Sequence, residues 1–376
     1  MKKEFSPLSF LSSLGAGGIS VLPFAFFQYT HHQGKGLITF NMINHTEMPA
    51  LKQLLFYSME AVMVVFVLLH IILTIKNLYG LVKWYKTESY YSFINDPLKN
   101  AGFMAIFISL AMTLNTVIGP IRFFVPIIAK NLQNLMLPAL AGILILGVIT
   151  MYWQIKLLKI SFVKSFDVNK INFGWLLQPF ALAMVGVTAS GIAAMAKTPD
   201  YAHIAAFFSI TIASMALFLL IVKLISIFKS HFASVGLPAK QFMPSYLIVI
   251  PIITLLGITG FRLVHYFENN FGFHIDFLAT LIVVVAFAFE TWYLLFGLAL
   301  LKNYLKTDFR EKEYYVSQWG LVCPFVAFSV LGAFFYKLFV PNMITYGVII
   351  ISAITAIVFF FVLLNKQMRY SNQPLK

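Results

Sequence analysis

The stretch Ser317–Tyr336, SQWGLVCPFVAFSVLGAFFY, decides how the chain is read. It is apolar enough to cross a bilayer and carries no Asp, Glu, Lys or Arg. Yet Pro324 stands where a straight helix would use an amide donor, and Gly320 and Gly332 leave thin places on either side. Proline removes a backbone hydrogen bond and frees a carbonyl, which hydrocarbon tolerates only where protein or water can satisfy it. A kinked apolar helix of this kind is either scaffold or pore wall.

The same device recurs along the chain. Pro179 to Pro251 is 72 residues, Pro251 to Pro324 is 73, and Pro23 lies 156 residues before Pro179, twice 78. The spacing predicts one unit repeated five times. The second copy lacks its proline near Ile106 and carries Asn115 and Pro120 instead.

Composition sets the class. Of 376 residues, 60% are hydrophobic and 11% charged, against roughly a quarter charged in soluble domains. Charge-free runs from Lys130 to Lys156, Lys170 to Lys197 and Lys337 to Lys366 each exceed the ~20 residues of a spanning helix. The reading is an all-α integral membrane protein with spans at 8–29, 53–80, 101–123, 132–157, 173–196, 202–228, 242–265, 275–302, 317–338 and 342–365. Short connectors around Lys197 to Tyr201 and Val340 to Asn342 pair these spans as five hairpins within one domain, 1–376.

Charge then orients the chain. The net charge of +14 sits mainly in alternate loops, so it does not indicate nucleic acid; 20 of the 27 Lys and Arg fall on the side of the two termini. Cytoplasmic loops are enriched in these residues, which puts both termini and the tail 366–376 in the cytoplasm and the loop 30–52 outside. Compact loops favour a bacterial inner membrane. The opening MKKEFSPLSFLSSLGAGGISVLPF has the form of a signal peptide, but the first proline repeat lies inside it, so it is read as an uncleaved first helix. The single Cys323 excludes an internal disulfide and any multi-cysteine metal site.

Odd and even spans differ. Odd spans carry the breakers and small residues, including Gly18 and Pro23, Pro179 and Gly186, Pro251 and Gly257, and Pro324; even spans are richer in Leu, Ile, Val and Phe and end in lysines. This division predicts an inner ring of five kinked helices around a central pore and an outer ring of five against lipid. Small residues also serve close helix packing, but their repetition on alternate spans points to a shared role.

With this arrangement, the chain resembles the tellurite-resistance and C4-dicarboxylate transporter family, which includes the plant slow anion channels. The resemblance covers essentially the whole chain. Its clearest local motif is Trp319 followed by Cys323-Pro324-Phe325, similar to the family's Trp and Phe-Pro stretch in the ninth helix. It implies a pore along each subunit, lined by the five odd helices, and a homotrimer. The family's gate is a phenylalanine of the ninth helix, and alignment on the proline puts Cys323 there. The gate candidates are therefore Cys323, Phe325 and Phe328.

Few ionisable residues enter the spans. Glu60 and Glu290 are candidates for proton or substrate coupling; an ionisable group in hydrocarbon costs ~2.5–3.5 kcal/mol on insertion scales, so such a residue faces the bundle interior or water and has a partner. Structural hydrogen bonding explains Glu290 as well, and Glu60, nearer a helix end, reads as interfacial. His70 reads as a satisfied buried histidine. Arg262, with His265 at the end of the seventh span, would attract anions into a vestibule or snorkel to headgroups, and Arg122 carries the same pair of readings. His31, His32, His45 and Glu47 share the first outer loop at irregular spacing, which reads as a solvated loop rather than a metal site. Asn44-His45-Thr46 matches a glycosylation acceptor.

There is no phosphate-cradling loop and no nucleophile elbow, so neither an enzyme nor a cofactor is expected. The leading reading is a channel for small inorganic or organic anions. A proton-coupled secondary transporter or exporter of a small dicarboxylate or oxyanion, such as sulfite or tellurite, is the alternative. A non-transporting subunit of a larger complex is the third.

Overall fold

The computed structural model describes residues 5–32, 34, 36–233 and 236–370; residues 371–376 of the expected tail lie outside the described residues. Ten helices are long and apolar enough to span a membrane. They are α1 (Pro7–His31), α2 (Ala50–Trp84), α3 (Asn100–Phe124), α4 (Met136–Val163), α5 (Phe173–Met195), α6 (Pro199–Ala233), α7 (Met243–Phe271), α8 (Asp276–Lys306), α9 (Val316–Leu338) and α10 (Met343–Arg369). No strand occurs among the described residues. α4 begins at Met136 rather than 132 because the chain first makes a separate short helix, Pro126–Lys130, with proline at a first position whose missing amide costs nothing.

Burial alternates along the chain. In the central windows of odd helices 61–100% of residues are buried, against 28–39% in even ones. The contacts explain why: α1 touches α3, α3 touches α5, α5 touches α7, α7 touches α9, and α9 returns to α1. Each even helix lies against its own hairpin partner and the next odd helix of that cycle. A helix facing lipid needs no polar face, and the even helices accordingly show no clear division into polar and apolar faces.

The prolines act differently from the sequence expectation. α5, α7 and α9 each open with a 3₁₀ stretch, Phe173–Leu176, Met243–Ile248 and Val316–Leu321. Pro179, Pro251 and Pro324 each follow as the third residue of the α-helical part. Where pairing switches from i−3 to i−4, two successive amides would claim one carbonyl, so a residue without an amide costs little there. These prolines mark the switch rather than a mid-helix kink. Four residues before Pro179, the carbonyl of Trp175 is taken by Lys223 Nζ of α6 at 3.1 Å, with the ammonium over the Trp175 ring at 4.7 Å. Pro23 alone of the four sits deep in an α-helical segment, which loosens into a π-helical turn at Phe27–His31.

Small residues bring the helices together. Ser209 of α6 donates to the carbonyl of Gly186 at 2.8 Å, and a Cβ on Gly257 would stand 3.0 Å from that of Ala286 on α8. A Cβ on Gly17 would stand 2.5 Å from Met112 and 2.8 Å from His70 Nδ1. His70 is fully buried and uses both ring nitrogens, on Ser13 O at 2.7 Å and Thr113 Oγ1 at 2.9 Å, tying α2 to α1 and α3.

The first outer loop is not simply solvated. His45 is buried and pairs with Glu60 Oε1 at 2.8 Å, so Glu60 is a buried anchor of the outer loop. The His45 ring stacks on Tyr57 at 4.7 Å and against Phe40 at 5.2 Å. Glu47, Asn44 and Thr46 remain exposed, and His31 packs edge-on against Phe56 at 5.0 Å. Arg122 does not reach headgroups: it is 2% exposed and its guanidinium donates to the carbonyls of Ile118, Leu37 and Ile38. Gln28 holds the same segment through Gly36 O at 3.0 Å and Ile38 N at 2.7 Å.

Candidate functional site

Two cavities lie end to end inside the cycle of odd helices. One, about 740 Å³, sits toward the end that carries the termini, and the other, about 150 Å³, lies toward the opposite end. They are called the lower and the upper cavity. Along α1, Leu8, Leu11, Leu14, Gly18, Val21 and Ala25 line them in succession, ending at Tyr29. Steps of three and four residues keep one helix face turned inward over its whole length. α7 does the same through Ser245, Ile248, Pro251, Thr254, Ile258 and Arg262. Every lining residue of the upper cavity comes from an odd helix except Leu37, from the outer loop.

Three residues line both cavities: Phe180, Pro251 and Cys323. They form the partition between the two spaces. Phe180 is the one aromatic residue among the described residues that line both cavities, and it is 4% exposed. The other two gate candidates are turned elsewhere. Phe325 stacks on Phe359 of α10 at 5.4 Å and Phe328 packs on Phe287 of α8 at 4.8 Å. Neither lines a cavity. The physical reason is angular: about 100° separates successive helix residues, so the position before Pro324 and the position after it face opposite walls. Phe180 was missed by looking only at α9; comparing the residue after each repeated proline would have brought it forward.

Of the kink residues, Gly18 and Pro251 line the cavities, and Gly186 and Gly257 face outer helices instead. Pro23, Pro179 and Pro324 lie in the helices behind the lining.

The upper cavity is apolar apart from Tyr29, Asn115, Thr254, Arg262 and the Cys323 thiol. Behind its wall, Glu290 of α8 is fully buried. Thr254 donates its hydroxyl to Glu290 Oε1 at 2.6 Å, and Glu290 Oε2 has no partner among the described residues. Arg262 does not snorkel: its Nη1 donates to Val187 O of α5 at 2.7 Å. Toward the outer end, Tyr29 lies on Phe334 with centroids 3.8 Å apart and Phe334 meets Phe261 edge-on at 5.2 Å. Tyr29, Phe334 and Leu37 line the outer end of the upper cavity.

The lower cavity is edged by charge. Lys99 and Lys170 stand on its rim, and Asp96, the one carboxylate lining it among the described residues, is paired with Lys99 at 3.0 Å. Lys240, from the loop before α7, clasps Glu311 and Glu313 before α9 at 3.0 and 2.6 Å. The Lys240 ammonium holds the Glu313 carboxyl below the usual carboxylate range. At the other end of the protein, His265, Glu268 and Asp276 bring ligand atoms within 4.8 Å of one another, a donor set with the chemistry for a divalent cation. His31, His32 and Glu47 do not join it.

The model of the SLAC1 family, voltage-dependent anion channel, matches residues 4–366. No curated protein matches the chain.

Proposed function

Because the chain belongs to the SLAC1 family of voltage-dependent anion channels, we propose that it conducts small anions along the seam of its odd helices, with Phe180, Pro251 and Cys323 as the barrier. The observation that carries this reading is the lining itself. One face of each odd helix contributes to the seam; among the described residues the upper cavity holds no carboxylate and one guanidinium, and the one carboxylate of the lower cavity is paired with Lys99. A low-dielectric passage of that charge balance favours anions over cations. By the bias of Lys and Arg, the lower cavity opens to the cytoplasm of a bacterial cell. Each subunit of a homotrimer would carry its own path.

The test is flux in proteoliposomes holding only this protein, under a chloride or nitrate gradient, with and without a pH gradient. A reversal potential that follows the anion and ignores pH is the expected result. Absence of flux for chloride, nitrate and dicarboxylates would favour a non-transporting subunit.

Proton-coupled transport is the second reading, and Glu290 is the observation in its favour: a buried carboxyl with one unpartnered oxygen directly behind the cavity wall. It requires that Glu290→Gln abolish saturable, proton-dependent flux. A channel keeps its flux in that variant.

A further inference from the structure

The upper cavity contains five polar side chains, but few of their protons are free. Asn115 Nδ2 donates to Thr188 Oγ1 at 2.7 Å and to Ala111 O at 3.0 Å. Thr254 directs its hydroxyl to Glu290, away from the cavity. Cys323 is a weak donor at the partition. What remains is the guanidinium of Arg262 and the hydroxyl of Tyr29.

Arg262 is positioned rather than loose. Its Nη1 donates to Val187 O at 2.7 Å, which tethers one edge of the guanidinium to α5. A side chain on Gly191 would crowd it, with Cβ 3.2 Å from Nη1. Nε and Nη2 make no hydrogen bond, and no carboxylate pairs with Arg262, among the described residues. Tyr29 packs on Phe334 with the two rings tilted by 31°. Its hydroxyl makes no hydrogen bond among the described residues, and it lines the same cavity of about 150 Å³ as Arg262.

We infer that Arg262 and Tyr29 form a binding site for one small planar oxyanion of single charge, the class of nitrate or bicarbonate. This rests on the anion-conducting reading and names the ion that its path holds best. The Nε–Nη2 edge presents two parallel N–H donors, the geometry that meets two oxygens of a planar anion at once. Tyr29 supplies a donor for the third oxygen. A spherical halide cannot use the fork in the same way. A dianion would leave one uncompensated charge in a space walled by apolar side chains, where it is costly.

The experiment is thermal unfolding of the purified chain titrated with sodium nitrate, chloride or sulfate at constant ionic strength, beside anion flux in proteoliposomes. The proteins are the unchanged chain, Arg262→Lys, Arg262→Gln and Tyr29→Phe. The unchanged chain should be stabilised most by nitrate, since a ligand bound only to the folded state raises Tm. Arg262→Lys keeps the charge and is the variant to rely on if Arg262→Gln does not fold. It should keep its response to chloride while its nitrate affinity falls roughly tenfold, the loss of one charge-assisted hydrogen bond. Tyr29→Phe should weaken nitrate more than chloride. A nitrate response unchanged in Arg262→Lys, or sulfate stabilising more than nitrate, overturns the site. If vesicles pass no anion while the nitrate response and its dependence on Arg262 persist, the site stands and the conduction reading falls. If flux is anion-selective but neither stability nor selectivity depends on Arg262, the site falls and conduction stands.

Discussion

Gln178-Pro179-Phe180 on α5 and Cys323-Pro324-Phe325 on α9 are the same motif at the same height, and they do opposite things. On α5 the phenylalanine after the proline enters the partition between the cavities. On α9 the residue before the proline lines it, and the phenylalanine stacks outward on Phe359. On α7 the proline itself faces the seam. The repeat therefore sets how far along the path each helix contributes, through the switch from 3₁₀ to α pairing. It leaves the rotation of each helix to its neighbours. Among the described residues the ring at the partition comes from the fifth helix.

Substitutions at this level can break the comparison, and the largest effect belongs to Phe180→Ala. Taking the ring out of the partition joins the two cavities, so anion flux in proteoliposomes should rise about tenfold or more, a barrier change of about 1.4 kcal/mol or more. Unchanged flux would place the barrier elsewhere. Adding Cys323→Phe to Phe180→Ala moves the ring from α5 to α9 and should return flux to within a few-fold of the unchanged chain, a result that Phe325 could not produce from its outward position.

Phe325→Ala is the complementary case. It leaves flux nearly unchanged while costing about 3–5 kcal/mol of stability through the void against Phe359, read as a fall in Tm. A flux gain like that of Phe180→Ala would reverse the roles of the two helices.

The α5 junction sharpens the comparison further. Lys223→Met leaves the carbonyl of Trp175 without its donor and should destabilise by about 1–3 kcal/mol. In a Pro179→Ala background, where an amide is again present four residues on, the same change should cost less. Equal cost in both backgrounds would sever the link between Lys223 and the proline.

The smallest effect lies at the rim. Glu313 has its folded pKa lowered by Lys240, so its contribution is present above the unfolded carboxylate value of about 4.3 and is lost as pH falls through the lower folded value. Both groups are exposed, and the effect is correspondingly small. Lys240→Ala should flatten the acid side of a Tm–pH curve by a small but measurable amount; an unaltered acid limb would show that the clasp contributes nothing.

Much of the fold was legible because it is one-dimensional. Length and hydropathy count spans, and the spacing of Pro179, Pro251 and Pro324 marks equivalent heights. Partnerships across distant segments were not legible. His45 reads as a loop histidine and Glu60 as interfacial until folding places them 2.8 Å apart. Lys223 reads as one more lysine near a helix end, and nothing local ties it to Trp175. Arg262 allowed two readings because sequence gives its depth but not whether that face looks to lipid or to a cavity.

The sequence by itself determined ten apolar helices in five hairpins, the alternation of small-residue and bulky spans, and the repeated proline. Each follows from local chemistry: transfer to hydrocarbon, the reach of a connector, the missing amide. Only the tertiary structure decided which face of each helix looks inward, and so put Phe180 at the partition, turned Phe325 away, and left Arg262 Nε and Nη2 and the Tyr29 hydroxyl without a partner among the described residues. The reason is that one residue of offset turns a side chain by about 100°. That angle is fixed by contacts between helices, such as Gly257 on Ala286 and Ser209 on Gly186, which no single stretch of sequence contains.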